Sequence, residues 1–401
     1  MGLIVQKFGG SSVANAERVM NVAKIVTDTY DAGNSVIVVV SAQGDTTDEL
    51  IEKAKEINPD ASKREMDMLL STGEQISIAL LAMAIEKLGY PVTSLTGWQI
   101  GMKTNSNYGN ARIKSVDTER IQKELDDRHI VIVAGFQGIN KYDDITTLGR
   151  GGSDTTAVAI AAVMHADLCQ IYTDVDGVYT ADPRKVPNAV KMDEITYDEM
   201  LELASLGAQV LHNRSVEMAK KYNVNLEVVS SLEKKPGTKV KEAVRMESML
   251  VRGVAKDEDV VRISVVGVED RPGIAFQLFS ALAKKKINID LIIQSLGSDG
   301  KNDISFTTTK GNLKETLAVI ENLNGVLNAR EVKYDENVAK ISIVGAGMAN
   351  NPGIAAMMFE ALYDAGINIQ MISTSEIKIS VLIDAKHADV AVRAIHDKFI
   401  K

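Results

Sequence analysis

A duplicated segment in the last third of the chain most constrains the fold. One copy begins at Arg262 (RISVVGVEDRPGIAFQLF) and the other at Lys340 (KISIVGAGMANNPGIAAMMF). Both contain a Pro-Gly-Ile triplet, at 272–274 and 352–354, and an Ile-Asn-Ile triplet, at 287–289 and 367–369. Each copy predicts strand, Pro-Gly turn, helix, strand, strand and helix. This is the order of a ferredoxin-like unit, which needs one more strand to close its sheet.

The two copies differ in where that closing strand lies. The first copy has a strand pattern near residues 329–334, directly after its second helix. The second copy ends in a helical pattern at about 388–399, which is followed only by the C-terminus. A spare strand pattern, SMLVRGVA, lies upstream at 248–255. We therefore predict that this strand completes the second unit, so that the first unit is an insertion within the second.

The first 240 residues alternate between strand and helix patterns. The stretch SVIVVVSA at 35–42 is almost continuously apolar, as in a strand buried on both faces. Further strands are predicted at 3–8, 130–136, 168–173 and 226–230, and helices at 15–31, 62–88, 154–165, 197–205 and 208–222. This alternation indicates a mostly parallel sheet covered on both sides, a three-layer α/β sandwich. Ligands bind beyond the carboxyl ends of the strands in such sheets.

The length of 401 residues predicts two or three domains. A charged turn, KKPGT at 234–238, interrupts the alternating pattern and marks the first boundary. The predicted domains are 1–240, a linker plus the spare strand at 241–261, and the two ferredoxin-like βαββαβ units at 262–336 and 337–401.

Composition and charge exclude several classes of protein. The net charge of −9 argues against a broad nucleic-acid surface. Cys169 is the single cysteine, so no intrachain disulfide forms, and we interpret it as a small buried hydrophobe. The five histidines show no metal-ligand spacing. We find neither a basic leader nor a run of the ~18 apolar residues that span a bilayer, so we expect a cytoplasmic protein without membrane contact.

The first chemical feature is the sequence KFGGSS at 7–12, between a strand and a helix. Its two glycines let the backbone approach a ligand closely, and the N–H groups of such a loop form an anion site. Lys7 shares strand parity with Leu3 and Val5, at the carboxyl end of the strand. A cation there suits a transferring phosphoryl group. The alternative is a glycine turn with a surface lysine. The sequence contains no GxxxxGK[ST] motif, which excludes a P-loop kinase.

A second glycine-rich turn, GRGGSDTT at 149–156, opens the helix AVAIAAVMHA. Ser153 and Asp154 are candidate N-caps of this helix, and capping is the structural alternative to a ligand role. Capping does not explain an arginine between glycines, whereas Arg150 is suited to holding a carboxylate by paired hydrogen bonds. Two such turns in one α/β domain suggest a site that brings two anions together.

A third feature, TDVDGVYTADPR at 173–184, follows a buried strand. Its Asp-Val-Asp-Gly portion resembles a calcium loop, but the glycine comes too early and Lys185 occupies the position of the closing glutamate. A polar loop with Tyr, Asp and Arg suits a nucleotide site better.

These three segments, taken in this order, resemble the aspartate kinases of the amino acid kinase fold. Ser71-Thr72-Gly73-Glu74 and Val40-Ser41-Ala42 also match that family, and the two C-terminal repeats look like tandem ACT regulatory domains. The resemblance covers essentially the whole chain. It implies an ATP-dependent kinase that phosphorylates L-aspartate with Mg²⁺ and is regulated by lysine, threonine or both. It also implies a homodimer or higher homo-oligomer formed through the ACT domains.

The resemblance assigns roles to individual residues. Lys7 would stabilise the transferred phosphoryl group and Asp154 would orient Lys7. The ATP site would comprise Lys7, Phe8, Gly9, Gly10, Ser11, Thr173, Asp174, Tyr179, Asp182 and Arg184. The aspartate site would comprise Ser41, Thr47, Glu74, Arg150, Gly151, Gly152 and Ser153. Arg150 would hold the α-carboxylate and Glu74 the amino group. Without the resemblance, Glu74 would be interpreted as a solvated carboxylate on a long helix.

One position departs from the family pattern. Many relatives read Gly-Ala-Lys-Val-Leu-His-Pro where this chain has Gly-Ala-Gln-Val-Leu-His-Asn at 207–213. That lysine contacts an ATP phosphate in some members. Gln209 carries no charge, so it is not included in the predicted site.

For the repeats, the resemblance implies an amino-acid effector held beside the Pro-Gly turn. The matching residues are Asp270, Arg271, Pro272, Gly273, Ile274, Ala275, Asn288, Ile289, Asp290 and Gln294, with Asn368 and Ile369 in the second unit. The alternative is that Pro-Gly only ends a strand and that Asn288 lies in a turn.

Two other functions remain open from the sequence. One is a related kinase for glutamate or another small acidic amino acid. The other is a catalytically silent amino-acid sensor built on a kinase fold, against which Lys7, Arg150 and Asp154 argue.

Overall fold

The computed structural model describes residues 2–206, 210–242, 250–296, 301–346, 348 and 351–400. The chain forms two compact units. The first comprises Met1–Tyr179 and Val190–Glu247, and the second comprises Thr180–Ala189 and Ser248–Lys401.

The first unit contains twelve described strands and eight described helices. The strands are β1 (Leu3–Phe8), β2 (Ser35–Val40), β3 (Val92–Leu95), β4 (Lys103–Thr104), β5 (Ile113–Ser115), β6 (Ile130–Ala134), β7 (Gln137–Ile139), β8 (Ile145–Thr147), β9 (Leu168–Thr173), β10 (Glu194–Thr196), β11 (Leu226–Ser230) and β12 (Thr238–Lys241). The helices are α1 (Ala16–Asp31), α2 (Thr46–Ile57), α3 (Lys63–Leu70), α4 (Thr72–Lys87), α5 (Glu119–Asp126), α6 (Gly152–Val163), α7 (Tyr197–Ser205) and α8 (Asn213–Tyr222).

The main sheet of this unit has eight strands in the order β10-β12-β11-β9-β1-β2-β6-β3. All neighbouring pairs are parallel except β11 with β12. A smaller sheet has the order β5-β4-β7-β8. These sheets confirm the predicted α/β class with a mostly parallel central sheet. The chain builds the sheet outward from β1 first towards β2 and later towards β9, so the topological switch point, where ligands bind in such folds, lies between β1 and β9.

The core explains why the strands form where the apolar runs lie. In β2, Val36 to Val40 are completely buried, because helices cover both faces of the central strands. The helix predicted over 62–88 is divided into α3 and α4 at Ser71. The Ser71 carbonyl accepts a hydrogen bond from the Gln137 side-chain amide, at 2.8 Å. This side-chain contact at a helix boundary was invisible in the hydrophobic pattern.

The stretch Lys63–Lys87 is long and apolar enough to cross a membrane by length and composition alone. Half of its most apolar window is buried inside the protein, which is typical of a core helix. The predicted helix over 208–222 begins at Asn213, and residues 207–209, which include Gln209, lie outside the described residues.

The second unit contains two ferredoxin-like domains. Its elements are β13 (Gly253–Asp257), β14 (Val261–Glu269), α9 (Ile274–Lys284), β15 (Ile292–Leu296), β16 (Lys301–Thr308), α10 (Leu313–Asn322), α11 (Asn324–Leu327), β17 (Glu331–Asp335), β18 (Val338–Val344), α12 (Ile354–Asp364), β19 (Met371–Thr374), β20 (Lys378–Asp384) and α13 (Ala388–Phe399).

The two sheets of this unit have matching strand orders, β15-β16-β14-β17 and β13-β18-β20-β19. In the second sheet β13 pairs with β18, as β17 pairs with β14 in the first. The upstream strand therefore takes the fourth position of the second domain. It lies at Gly253–Asp257, slightly later than the pattern at 248–255, and residues 243–249 lie outside the described residues. The first domain, from β14 to β17, is inserted in sequence between two paired strands of the second.

The segment 180–189 belongs to the second unit, although the predicted boundary placed it in the first domain. Ala181 and Val186 lie in the core of the second ferredoxin-like domain, and Val186 is completely buried. Lys185 pairs with Asp389 of α13 at 3.0 Å. Apolar burial and this ion pair are the physical reasons for the assignment.

The two ferredoxin-like domains share a buried cation. Lys340 of β18 is 4% exposed and pairs with Asp290 of the first domain. It also lies 3.3 Å from Asp257 of β13. A buried charge needs such partners to offset its loss of hydration.

Candidate active site

Lys7 and Asp154 form the centre of the site. Lys7 is at the carboxyl end of β1 and Asp154 is in the first turn of α6. The Lys7 Nζ lies 2.6 Å from the Asp154 Oδ1, and the two side chains are only 13% and 11% exposed. The carboxylate therefore holds the lysine in one direction at the edge of the sheet, as the orienting role of Asp154 requires.

The loop that follows β1 packs closely against the loop that follows β2. A Cβ on Gly10 would lie 2.6 Å from the Ala42 carbonyl oxygen, so only glycine fits there. The Gly44 N–H donates to the Gly10 carbonyl at 3.0 Å. Gly9, Gly10 and Ser11 thus lie at the carboxyl edge of the sheet.

Phe8 is arranged differently from its neighbours in the motif. Its ring is completely buried and stacks on Tyr172 of β9, with ring centroids 4.4 Å apart. Phe8 and Tyr172 are register partners on the adjacent strands β1 and β9, so this aromatic pair belongs to the core. A contact of Phe8 with ATP would therefore use its backbone.

The loop between β8 and α6 is shaped by glycines with a left-handed backbone. Gly149 and Gly151 have φ of +79° and +67°. A Cβ on Gly151 would lie 2.2 Å from the His212 ring, and one on Gly152 would lie 2.8 Å from the Phe136 ring. The loop is held by close contacts on both sides, which explains the Gly-Arg-Gly-Gly pattern.

The N-cap prediction for this helix is wrong. The N-cap of α6 is Gly151, and Ser153 and Asp154 lie inside the first turn. Glycine takes the cap position because its backbone is left-handed there. Asp154 is thereby left to pair with Lys7. Ser153 is 6% exposed, and the Arg150 side chain is exposed.

Glu74 is a buried carboxylate in the first turn of α4. It is 3% exposed, and its Oε1 accepts from the Ala42 N–H at 3.1 Å. Its Oε2 is buried and has no hydrogen-bond partner in the part of the chain that the structure describes. Burial raises the pKa of Glu74 to about 8. An unpartnered buried carboxylate of this kind suits a cationic ligand such as an ammonium group.

Ser41 and Thr47 lie on the same side of the sheet as Glu74. Ser41 follows β2, and its N–H donates to the Phe8 carbonyl at 3.1 Å. Thr47 is in the first turn of α2, which begins at Thr46. Because β1 and β2 are adjacent and parallel, Ser41, Glu74 and Lys7 share one edge of the sheet.

The predicted nucleotide loop is divided between the two units. Thr173 ends β9, and the Tyr179 hydroxyl donates to Asp176 at 2.7 Å, which raises the pKa of Tyr179 to about 12. Asp182 and Arg184 belong to the second unit, where they pair with each other at 3.0 Å. Thr173 and Asp174 therefore lie at the end of β9, and Tyr179 forms an isolated β-bridge with Lys191. Asp182 and Arg184 lie in the segment that belongs to the second unit.

Ser12 and Ser231 lie at the same edge of the sheet and were not among the predicted site residues. The Ser12 hydroxyl donates to the Ser231 hydroxyl at 2.8 Å, and the Ser231 hydroxyl donates to the Thr173 carbonyl at 3.1 Å. These bonds join the loop after β1 to the ends of β9 and β11. Ser231 follows a parallel strand, so its position at the strand's carboxyl end was the available signal.

The predicted effector residues lie partly around one cavity in the first ferredoxin-like domain. This cavity has a volume of about 210 Å³ and is lined by Glu269, Asp270, Arg271, Gly273, Ile274, Ala275, Gln294, Asn302 and Ile304. Pro272, Asn288, Ile289 and Asp290 are not among its lining residues. Asp290 instead pairs with Lys340.

Three lining residues, Glu269, Asn302 and Ile304, were not among the predicted effector residues, and Asn302 is the buried polar one. It is 4% exposed and its Nδ2 donates to Asp270 at 2.9 Å. Its Oδ1 is buried and has no hydrogen-bond partner among the described residues. The strand pattern of β16 gave no reason to single it out. In the second domain, Asn368 is exposed and Ile369 packs against the core.

Comparisons with known families match one family over the first part of the chain and another family twice over the last part. The amino acid kinase family matches residues 2–230. The ACT domain matches twice, at residues 261–328 and 341–399.

Individual relatives match along the full length. Aspartokinase from Geobacillus stearothermophilus is 55% identical over 400 residues, covering 100% of this chain and 97% of that protein. Among solved structures, E. coli aspartokinase III in complex with aspartate and ADP, in the R-state, has a TM-score of 0.85 at 26% identity. The same enzyme in complex with lysine and aspartate, in the T-state, has a TM-score of 0.77 at 26% identity. Each of these two matches covers 100% of this chain and 100% of the E. coli chain. The chain therefore belongs to the aspartokinases, within the amino acid kinase family.

Proposed function

We propose that this protein transfers the γ-phosphate of ATP to the side-chain carboxylate of L-aspartate, giving 4-phospho-L-aspartate. This is the first step of the route towards lysine, threonine and methionine. The observation that carries the proposal is the ion pair of Lys7 with Asp154, two side chains that are only 13% and 11% exposed. At the same edge of the sheet, the Glu74 Oε2 has no hydrogen-bond partner among the described residues. The aspartate and ADP bound by E. coli aspartokinase III support the same chemistry.

Lys7 supplies the positive charge for phosphoryl transfer. The transferring group carries negative charge on its oxygens, and a fixed cation lowers the barrier by stabilising that charge. Asp154 keeps the Lys7 ammonium in place at 2.6 Å. The backbone N–H groups of Gly9, Gly10 and Ser11 would line the phosphates. ATP would bind as its Mg²⁺ complex, and that ion would neutralise further phosphate charge.

The described residues do not group three His, Cys, Asp or Glu side chains into a metal site. We therefore expect the phosphates and water to provide most of the Mg²⁺ ligands, as is usual for this ion with nucleotides.

Arg150 and Glu74 would select the amino acid. The Arg150 guanidinium binds the α-carboxylate by paired hydrogen bonds, and the Glu74 Oε2 accepts from the α-ammonium. Ser41, Thr47, Gly151, Gly152 and Ser153 would complete the aspartate site. Thr173, Asp174 and Tyr179 would contact the nucleotide. A nucleotide contact by Asp182 and Arg184 remains a prediction.

The test is ADP release measured with aspartate, glutamate and N-acetylglutamate at equal concentration. We expect a clear preference for aspartate. Preference for either glutamate compound would reject the assignment.

A variant of the central cation separates an enzyme from a silent sensor. Lys7→Ala should reduce kcat by on the order of 10²-fold or more, because the transferring phosphoryl group loses its fixed cation. Lys24→Ala, on the exposed face of α1, is the control and should leave kcat unchanged. Equal turnover of the two variants would remove Lys7 from the mechanism.

We also propose that lysine binds in the cavity of the first ACT domain and inhibits the enzyme, with threonine as a second effector. The T-state complex of E. coli aspartokinase III contains lysine, which supports the choice. Asp270 and the Asn302 Oδ1 would accept from the effector's ammonium groups. Backbone N–H groups beside Pro272-Gly273 would bind its carboxylate.

Kinase assays with lysine, threonine and the pair test this regulation. Gln294→Ala removes a lining side chain and should raise the effector concentration for half inhibition. Gln277→Ala, on the exposed side of α9, should leave it unchanged. If no effector alters activity or thermal stability, the regulatory proposal fails.

The ACT domains favour a homodimer or higher homo-oligomer, which light scattering would measure. A cytoplasmic location also stays a prediction.

A further inference from the structure

We propose that Asp67 and Arg214 are positioning residues that fix the end of β8, from which the Arg150 loop departs. Neither residue is part of the site assigned above. The inference rests on the proposed function, because it takes Arg150 as the residue that holds the aspartate α-carboxylate.

Asp67 is a carboxylate whose hydrogen-bonding capacity is used within the fold. It is in α3 and is 1% exposed. The Gly109 N–H donates to both carboxylate oxygens, at 3.0 and 2.9 Å. The Thr147 N–H donates to Oδ2 at 2.9 Å and the Thr147 hydroxyl donates to Oδ1 at 2.6 Å. Asp67 therefore joins the loop at Gly109 to the last residue of β8.

Arg214 joins the same two segments from another element. It is in α8, and its Nη1 donates to the Leu148 carbonyl at 2.9 Å while its Nη2 donates to the Ala111 carbonyl at 2.7 Å. Burial, and secondarily Arg112, lower the pKa of Arg214 to about 10, so the guanidinium stays charged at neutral pH. The planar fork of arginine donates to the two carbonyls from two separate nitrogens held in a rigid plane, whereas lysine has a single donor nitrogen on a flexible chain.

The side chains of Asp67 and Arg214 bind backbone groups of the same two short segments, 109–111 and 147–148. Asp67 holds Thr147 and Gly109, and Arg214 holds Leu148 and Ala111. The Ala111 N–H also donates to the Thr147 carbonyl at 2.9 Å. A Cβ on Gly149, the next residue, would lie 3.0 Å from the Gly109 carbonyl oxygen. The backbone is therefore fixed up to the residue before Arg150.

This arrangement has a consequence for substrate binding. The Arg150 side chain is exposed, so its reach is set by the backbone that carries it. A buried charge costs free energy unless fully hydrogen-bonded, and one that binds backbone groups orders those groups in return. The loss of either anchor should misplace Arg150 relative to the transferred phosphoryl group, and displacement of about 1 Å can reduce rates by ~10²-fold.

Steady-state kinetics of Asp67→Asn test the proposal. The new amide directs N–H groups at backbone N–H groups that formerly donated to a carboxylate. We expect the KM for aspartate to rise about tenfold or more and kcat to fall, while the KM for ATP changes by less than about threefold. Asp144→Asn is the matched control. Asp144 lies in the loop between β7 and β8 and is bonded to Arg64 and Tyr108 instead of to Thr147, so this variant should keep both KM values.

Milder substitutions distinguish the loss of a single contact from misfolding of the protein. Thr147→Val removes only the hydroxyl that donates to Asp67 and should raise the aspartate KM by a smaller factor than Asp67→Asn. Arg214→Lys, which keeps the charge but has a single donor nitrogen, should retain more activity than Arg214→Met.

Arg150→Ala, assayed in parallel, separates this inference from the proposed function. If Arg150→Ala leaves the aspartate KM unchanged, the role of Arg150 in the proposed function fails. If Arg150→Ala raises that KM but folded Asp67→Asn and Thr147→Val do not, the positioning role is overturned. An equal rise of both KM values in Asp67→Asn would also overturn it, since general loosening would explain that result.

Discussion

At the scale of single residues, Glu74 shows how burial prepares a carboxylate for a cationic ligand. The residue lies in the first turn of α4 with one oxygen bonded to the Ala42 N–H and the other unpartnered among the described residues. Burial makes ionisation unfavourable until a positive charge arrives. Under the proposed function aspartate would bring that charge as its α-ammonium, so substrate binding and release of the Glu74 proton should be coupled.

The first prediction concerns this coupling. The pKa of Glu74 is about 8 in the folded protein, against about 4.3 in an unfolded chain. Between these values the unfolded state has lost the proton that the folded state keeps. The stability contributed by this group is therefore complete below the unfolded pKa and is lost as the pH rises to about 8. Glu74→Gln cannot titrate, so its stability relative to the natural protein should increase with pH over this range in urea unfolding.

Saturating aspartate provides the control for that measurement. Its ammonium should stabilise ionised Glu74 and reduce the pH-dependent difference between the two proteins. A difference that stays constant from about pH 5 to about pH 8, with and without aspartate, would contradict the prediction.

The sequence predicted some of these residues and not others, for physical reasons. Strand parity put Lys7 on the same face of β1 as Leu3 and Val5, because the side-chain period of a strand is fixed. Its place shortly before the two glycines put it at the carboxyl end of the strand. Asp67 escaped notice because one carboxylate on an amphipathic helix has the pattern of a solvated face. Only the tertiary contacts to Gly109 and Thr147 show its role.

At the scale of elements, the loop between β8 and α6 depends on close approach as much as on backbone freedom. Gly151 combines a left-handed backbone with contact to the His212 ring. Gly89 shares the left-handed backbone, with φ of +88°, but a Cβ there would meet nothing within 4 Å. Comparing Gly151 with Gly89 therefore separates the effect of backbone strain from the effect of steric crowding.

The second prediction uses this pair. Gly89→Ala should lower the free energy of unfolding by only about 1–2 kcal/mol and leave kinetics unchanged, because it adds strain alone. Gly151→Ala adds the same strain and a clash, so the loop must move and kcat/KM for aspartate should fall by on the order of 10²-fold. Urea unfolding and steady-state kinetics on both variants measure the two effects. Similar kinetics for the two variants would show that the His212 contact is unimportant.

Element boundaries were harder to predict than element types. The glycine pattern predicted a turn before α6, but the helix begins at Gly152 instead of after Ser153, because Gly151 adopts the cap conformation. Likewise, hydrophobic spacing continued through Ser71, where the Gln137 amide binds the backbone carbonyl. At α6 the backbone conformation of one glycine sets the boundary, whereas at Ser71 a contact distant in sequence binds the backbone where the two helices meet.

At the scale of the whole molecule, the chain passes between its two units more than once. It leaves the first unit after Tyr179, contributes 180–189 to the second, returns at Val190, and enters the second again at Ser248. The segment TADPRKVPNA has the composition of a polar loop, so its residue pattern does not predict a place in a core. Its two buried apolar residues, Ala181 and Val186, acquire their environment only from the second ACT domain.

The third prediction tests the contribution of this segment. Val186→Ala should lower the free energy of unfolding of the second unit by roughly 1–3 kcal/mol, because it leaves a cavity in a packed core. Val190→Ala, at a position 49% exposed, should change it by less than about 0.5 kcal/mol. Hydrogen exchange of amides in α12 and α13 would localise the effect. Equal values for the two variants would show that the segment packs loosely.

The repeated crossing limits how the regulatory half can be exchanged between enzymes. A hybrid that joins the kinase portion of one aspartokinase to the ACT domains of another at a single junction near residue 248 would leave residues 180–189 from the wrong parent. That mismatch would place foreign side chains at positions 181 and 186, against a core selected for different ones. Transplanting effector specificity into this enzyme therefore requires two exchanged stretches, and the shorter one lies within the kinase sequence.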